Sequence, residues 1–166
     1  MKILVAAASK HGSTLDVRDR IAKALSEGGH EVVTEAPQNV ETLEGYDAVV
    51  LGSAVYITQW MSPAKDFIAR FTEELRHLPV WAFSVGLSGV PKGNVQDPSR
   101  VGPALIEVAP VEQKTFAGKL DPTKLNLRER SIARLGGAIE GDYRDWAEID
   151  AFAQRILAYF EAEPER

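Results

Sequence analysis

A chain of 166 residues, 45% hydrophobic and 26% charged, has the size and composition of one globular domain with a substantial core. Its net charge of −5 argues against a nucleic-acid surface. The absence of cysteine excludes a disulfide scaffold, thiol catalysis and thiolate-held metal clusters. The three histidines are dispersed, so no metal site is expected. Only Met1-Lys2 precedes the first apolar run, and no run approaches a membrane span, so a cytoplasmic location is expected.

Lys2 to Ala8 reads as a first, buried strand. Helix one is predicted from about Ser13 to Glu27, with Val17, Ile21, Ala24 and Leu25 on one face and Gly28-Gly29 ending it. Strand two is placed at about Glu31 to Ala36. Strand three, Asp47 to Ser53, has the unbroken apolar core expected when both faces of a sheet are covered. Ser62 and Pro63 look like N-cap and first residue of helix two, which runs to Arg76. Strand four spans Val80 to Leu87, a short or broken helix is expected within Asp97 to Ala109, and strand five spans about Val111 to Ala117. The last helix runs from about Asp145 to Ala162, on the 3.6-residue pattern of Ile149, Phe152, Ala153, Ile156, Leu157 and Phe160. Alternating strands and helices imply a parallel sheet covered on both faces, within a single domain over 1–166. The segment 119–142, between strand five and the last helix, exceeds that minimal plan. Within 119–134 it carries Lys119, Lys124, Arg128, Arg130 and Arg134 against only Asp121 and Glu129.

The most informative stretch is the turn Ser9-Lys10-His11-Gly12-Ser13-Thr14, between strand one and helix one. The start of a helix leaves amide groups unpaired, and the helix dipole favours an anion there. The same residues also suit a plain N-cap and turn. A single glycine does not make the dinucleotide pattern G-x-G-x-x-G, and no P-loop string occurs. Ala7, Ala8 and Gly52-Ser53-Ala54 stand where a receiver domain needs carboxylates. A hydroxyl-rich turn without a required lysine or metal suits a terminal monoester phosphate, such as that of flavin mononucleotide (FMN).

This turn resembles the phosphate pattern [ST]-x-[ST]-G-x-T of the flavodoxin-like family, with His11 at a position usually held by a hydroxyl. The resemblance implies a three-layer α/β sandwich, a five-stranded parallel sheet in the order 2-1-3-4-5, and FMN as cofactor. Ser9, Lys10, His11, Gly12, Ser13 and Thr14 would then surround the phosphate. The loop after strand three (Ala54, Val55, Tyr56, Ile57, Thr58, Trp60) and the loop after strand four (Ser84, Val85, Gly86, Leu87, Ser88) would cover the two sides of the ring. All three loops leave the carboxyl ends of neighbouring strands, where ligands bind in such folds.

Further motifs resemble the flavodoxin-domain subfamily that includes the menaquinone-dependent protoporphyrinogen IX dehydrogenases. They are Gly52-Ser53-Ala54-Val55-Tyr56, Ser84-Val85-Gly86-Leu87, Phe116-Ala117-Gly118-Lys119-Leu120 and Gly141-Asp142-Tyr143-Arg144-Asp145-Trp146, together with the segment after strand five. They imply an FMN-dependent oxidoreductase taking electrons from an organic donor, such as a porphyrinogen, and passing them to a quinone. The loop from Ser84 to Val95 has no carboxylate, and its one charge is Lys92, less than a carrier of single electrons would need to disfavour the reduced anion. A one-electron carrier serving a protein partner and a flavin-free interaction domain remain as alternatives. No catalytic residue is assigned. The basic stretch 119–134 would suit peripheral contact with the inner membrane face, and exposed surfaces around it allow a homo-oligomer.

Overall fold

The computed structural model describes residues 1–87, 93, 95, 97–98, 105–135, 137 and 139–162. Its central strands are β1 (Lys2–Ala8), β2 (Glu31–Glu35), β3 (Ala48–Tyr56), β5 (Val80–Gly86) and β6 (Glu112–Ala117). All pair in parallel, in the order β2-β1-β3-β5-β6. This is the expected 2-1-3-4-5 arrangement, counting only the main strands. A two-residue strand, β4 (Gln59–Trp60), folds back antiparallel on the end of β3. The helix expected within 97–109 falls largely outside the described residues.

Alternation along the strands sorts the core into two layers. Ile3, Val5, Ala48, Val50, Trp81, Phe83 and Phe116 project to one face. There they meet Val17, Ile21 and Leu25 of α1 (Ser13–Glu27), and Ile149, Phe152, Ala153 and Ile156 of α4 (Trp146–Ala162). Leu4, Ala6, Val49, Leu51 and Ala82 project to the other face, against Phe67, Ile68, Phe71 and Leu75 of α2 (Ser62–Arg76). The strands are apolar on both sides because helices cover both sides.

Register brings the strand ends level. Ala8 pairs with Ser53, Ser53 with Ser84, and Ala54 with Val85. Gly52 sits under the Phe83 ring: a Cβ built there would lie 2.1 Å from Phe83 Cζ, so only glycine admits that ring.

The segment after β6 has structure of its own. β7 (Lys119–Leu120) pairs antiparallel with β8 (Gly141–Asp142), and α3 (Leu127–Leu135) lies between them in sequence. Arg144, just beyond β8, reaches Asp16 on α1 at 3.0 Å and Asp142 at 2.7 Å. Ser62 corrects the expected cap: it is the first helical residue of α2, and no side chain caps that helix. Ser53 Oγ accepts instead from the Met61 amide at 2.9 Å, tying the end of β3 to the entrance of α2.

Candidate functional site

β1 delivers the turn 9–14 to the carboxyl edge of the sheet, and α1 begins inside it at Ser13. Gly12 stands at the cap position with φ 93°, a left-handed conformation that costs glycine nothing. Its amide donates to Ser9 Oγ at 3.0 Å, and its carbonyl accepts from the Asp16 amide at 3.2 Å. No side chain caps α1. The opening amides are therefore left to a ligand or to water. Space around Gly12 is open, with nothing within 4 Å of where a Cβ would stand.

Thr14 supplies a second sign. It is 1% exposed, and its Oγ1 has no hydrogen-bond partner among the described residues. Leaving a buried hydroxyl unpaired costs about 1–3 kcal/mol. A phosphate oxygen at the head of α1 would satisfy it and the helix amides together.

His11 and Lys10 point to a partner that charge counting missed. Glu129, on the first turn of α3, accepts from Lys10 Nζ at 2.9 Å and from His11 Nε2 at 2.8 Å. The hydrogen bond from Lys10 holds the Glu129 carboxyl down at about 2, aided by the Asn126 amide and by His11, with desolvation opposing them. The stabilisation from this ionised form is present above the ordinary carboxylate range and is lost as pH falls through about 2. The signal available in sequence was Asn126-x-x-Glu129, the spacing of a capping box. Lys10 Nζ also lies 4.6 Å from the centroid of the Tyr56 ring, joining the turn to the end of β3.

The loop expected after strand three is a hairpin. Ala54, Val55 and Tyr56 still belong to β3, and Tyr56 pairs with Gln59 of β4. Ile57 and Thr58 form the turn, with φ of 48° and 62°. Positive φ at both central residues is what a tight hairpin demands, and it is strained for β-branched residues. Ile57 and Thr58 are exposed, while Ala54, Val55 and Tyr56 are half-buried. All five sit at the strand ends beside the turn.

Three of the expected contact residues have buried side chains, which leaves Ser84 and Val85 only their backbone to offer a ligand. Trp60 is 2% exposed and packs in the core layer under α2. Its Nε1–H donates to Ser84 Oγ at 2.8 Å, and Ser84 is itself fully buried. Each satisfies the other's polar group inside the protein, as buried polar groups require. Neither side chain is available to a surface ligand, and the Val85 side chain is also buried. Gly86 and Leu87, half-buried at the end of β5, remain at the edge. Ser88 lies outside the described residues. Two surface concavities of about 570 and 430 Å³ lie elsewhere, one against Ser62, Pro63 and Arg70 and the other against Tyr46, Glu74 and His77.

The flavodoxin domain family matches this sequence over residues 4–146. The chain belongs to that family. Membership implies an FMN-binding redox protein. No curated protein sequence matches the chain. Solved structures share its fold at low identity. Oxidised flavodoxin 2 from Bacillus cereus is 23% identical, with a TM-score of 0.65 over 96% of this chain and 100% of that one. A flavodoxin variant from Pseudomonas aeruginosa is 13% identical, with a TM-score of 0.62 over 97% of this chain and 99% of that one. The rubredoxin oxygen:oxidoreductase of Desulfovibrio gigas is 12% identical, with a TM-score of 0.66 over 97% of this chain but only 36% of that larger protein. Among the described residues, no helix is long and apolar enough to cross a membrane.

Proposed function

We propose that the chain is an FMN-dependent oxidoreductase that accepts electrons from a small organic donor. The observation that carries the FMN part of this reading is the unsatisfied, buried Thr14 hydroxyl at the uncapped start of α1. In this reading Ser9, Gly12, Ser13 and Thr14 hold the phosphate. Ala54 to Thr58 and the Gly86-Leu87 edge flank the ring. Bound there, FMN supplies reversible acceptance of two electrons and a proton from a donor carbon or nitrogen.

The chain's own residues orient that ring and set the charge around it. Residues 54–60 and 84–87 contain no carboxylate, and Lys10 stands over Tyr56. Strand ends without carboxylates do not oppose the gain of negative charge on a nearby ring, which suits two-electron chemistry, although the Lys10 charge itself is paired with Glu129. A porphyrinogen donor and a quinone acceptor are the substrate classes that fit the motifs shared with the protoporphyrinogen dehydrogenase subfamily. The outward residues of α3, among them Leu127, Arg128 and Leu135, mix apolar and basic side chains. That mixture suits contact with the anionic membrane surface where quinones partition.

The test adds FMN to the purified protein, removes the excess, and titrates the bound flavin with reductant under anaerobic conditions. Stoichiometric retention and uptake of two electrons in one step are expected. A colourless protein would overturn the reading. Two well-separated one-electron steps would assign it to the carriers instead.

A further inference from the structure

Glu129 is the charged side chain that is buried among the described residues, 6% exposed, in a segment whose other charges are mostly basic and exposed. A carboxylate is removed from water only when its partners compensate it. Here its two oxygens serve different elements. Oε1 accepts from the Asn126 amide at 3.2 Å, while Asn126 Oδ1 accepts from the Glu129 amide at 2.8 Å. This reciprocal pair caps α3. Oε2 takes Lys10 and His11, 118 residues away from His11 in sequence. One carboxylate thus starts α3 and grips the outer side of the turn that opens α1.

Resting on the FMN reading above, we propose that Glu129 is a positioning residue for the phosphate turn, and that through it the inserted segment 119–142 responds to whether the turn is occupied. Lys10 and His11, drawn to α3, are kept off the open helix start, so the opening amides and Thr14 stay presented to the phosphate. The ordering of the turn is met in advance by the docking of α3. By linkage, a ligand that requires the ordered turn must stabilise α3 docking to the same extent.

A Glu129→Gln variant separates the two roles. Its side-chain carbonyl still accepts from Asn126, but its amide nitrogen cannot accept from Lys10. We expect E129Q to weaken FMN about tenfold while leaving riboflavin, which lacks the phosphate, unchanged. In the wild-type chain, FMN but not riboflavin slows amide hydrogen exchange across 126–135, and E129Q abolishes that slowing. Equal or tighter FMN binding by E129Q, or wild-type exchange that FMN leaves unaltered, would overturn the proposal. Should E129Q fail to fold, the wild-type exchange comparison of FMN with riboflavin decides alone. A wild-type chain that binds no FMN removes the earlier reading and this one together. FMN binding with unresponsive exchange removes this one only.

Discussion

α1 and α4 pack side by side on one face of the sheet, yet they begin in opposite ways. Asp145 precedes α4, its Oδ1 accepting from the Glu148 amide at 3.2 Å and its carbonyl from the Ile149 amide at 3.2 Å. α1 opens on a left-handed glycine with no side-chain cap and a buried threonine hydroxyl left unpaired. A side-chain cap stabilises a helix by about 1 kcal/mol. α4 takes that stabilisation from its own chain. α1 forgoes it at a start that lies beside the ends of β1, β3 and β5. Unlike the entrance of α2, which Ser53 Oγ ties down, the start of α1 leaves its donors open to a ligand or to water.

The contrast can be broken from the α1 side first. Ser13→Asp would supply a carboxylate at the first helical residue of the open start. FMN affinity should fall by about a hundredfold or more through like-charge repulsion, while the apo protein melts slightly higher. Fluorescence titration and thermal melting of the same sample check both halves. Thr14→Val removes the unpaired hydroxyl at nearly constant volume. The apo chain should gain up to about 1 kcal/mol in denaturant unfolding, and FMN affinity should drop about tenfold. A variant that lost both stability and affinity would mean that Thr14 is satisfied within the fold. On the α4 side, Asp145→Ala should cost about 1 kcal/mol of stability and leave the FMN dissociation constant unchanged. A parallel loss of affinity would erase the distinction between the two helix starts.

Local rules made α1 legible from sequence. The apolar spacing of Val17, Ile21 and Leu25 and the stop at Gly28-Gly29 give its observed limits, Ser13–Glu27. Alternation implied only a parallel sheet covered on both faces; the strand order, which the structure matches, came with the flavodoxin-like resemblance. The apolar run predicts that strand three ends at Ser53, but it runs to Tyr56 because β4 returns to pair with its end. Pairing across a turn of Ile57 and Thr58 carries none of the usual Asn or Gly signal. Trp60 illustrates a different limit. An aromatic residue beside a binding loop looks the same in sequence whether its ring faces ligand or core, and here its N–H finds Ser84 inside. Glu129 was hidden by averaging: summed with its neighbours it only lowered a positive total, whereas its position three after Asn126 and its burial against Lys10 and His11 set its role.

The ring of Phe83 resting on Gly52 reaches beyond packing. These two residues are register partners one step below the level where Ser53 meets Ser84, so their fit fixes how closely β3 and β5 approach beneath the hairpin and the β5 edge. Any single enlargement at position 52 meets the ring, and any single reduction at position 83 leaves a void over a bare backbone. Sequence change at this pair is open only to two compensating substitutions made together, while the loops above it are free to vary one residue at a time. Relatives of this chain should therefore explore new ring environments by altering their loops long before they alter the width of the crevice.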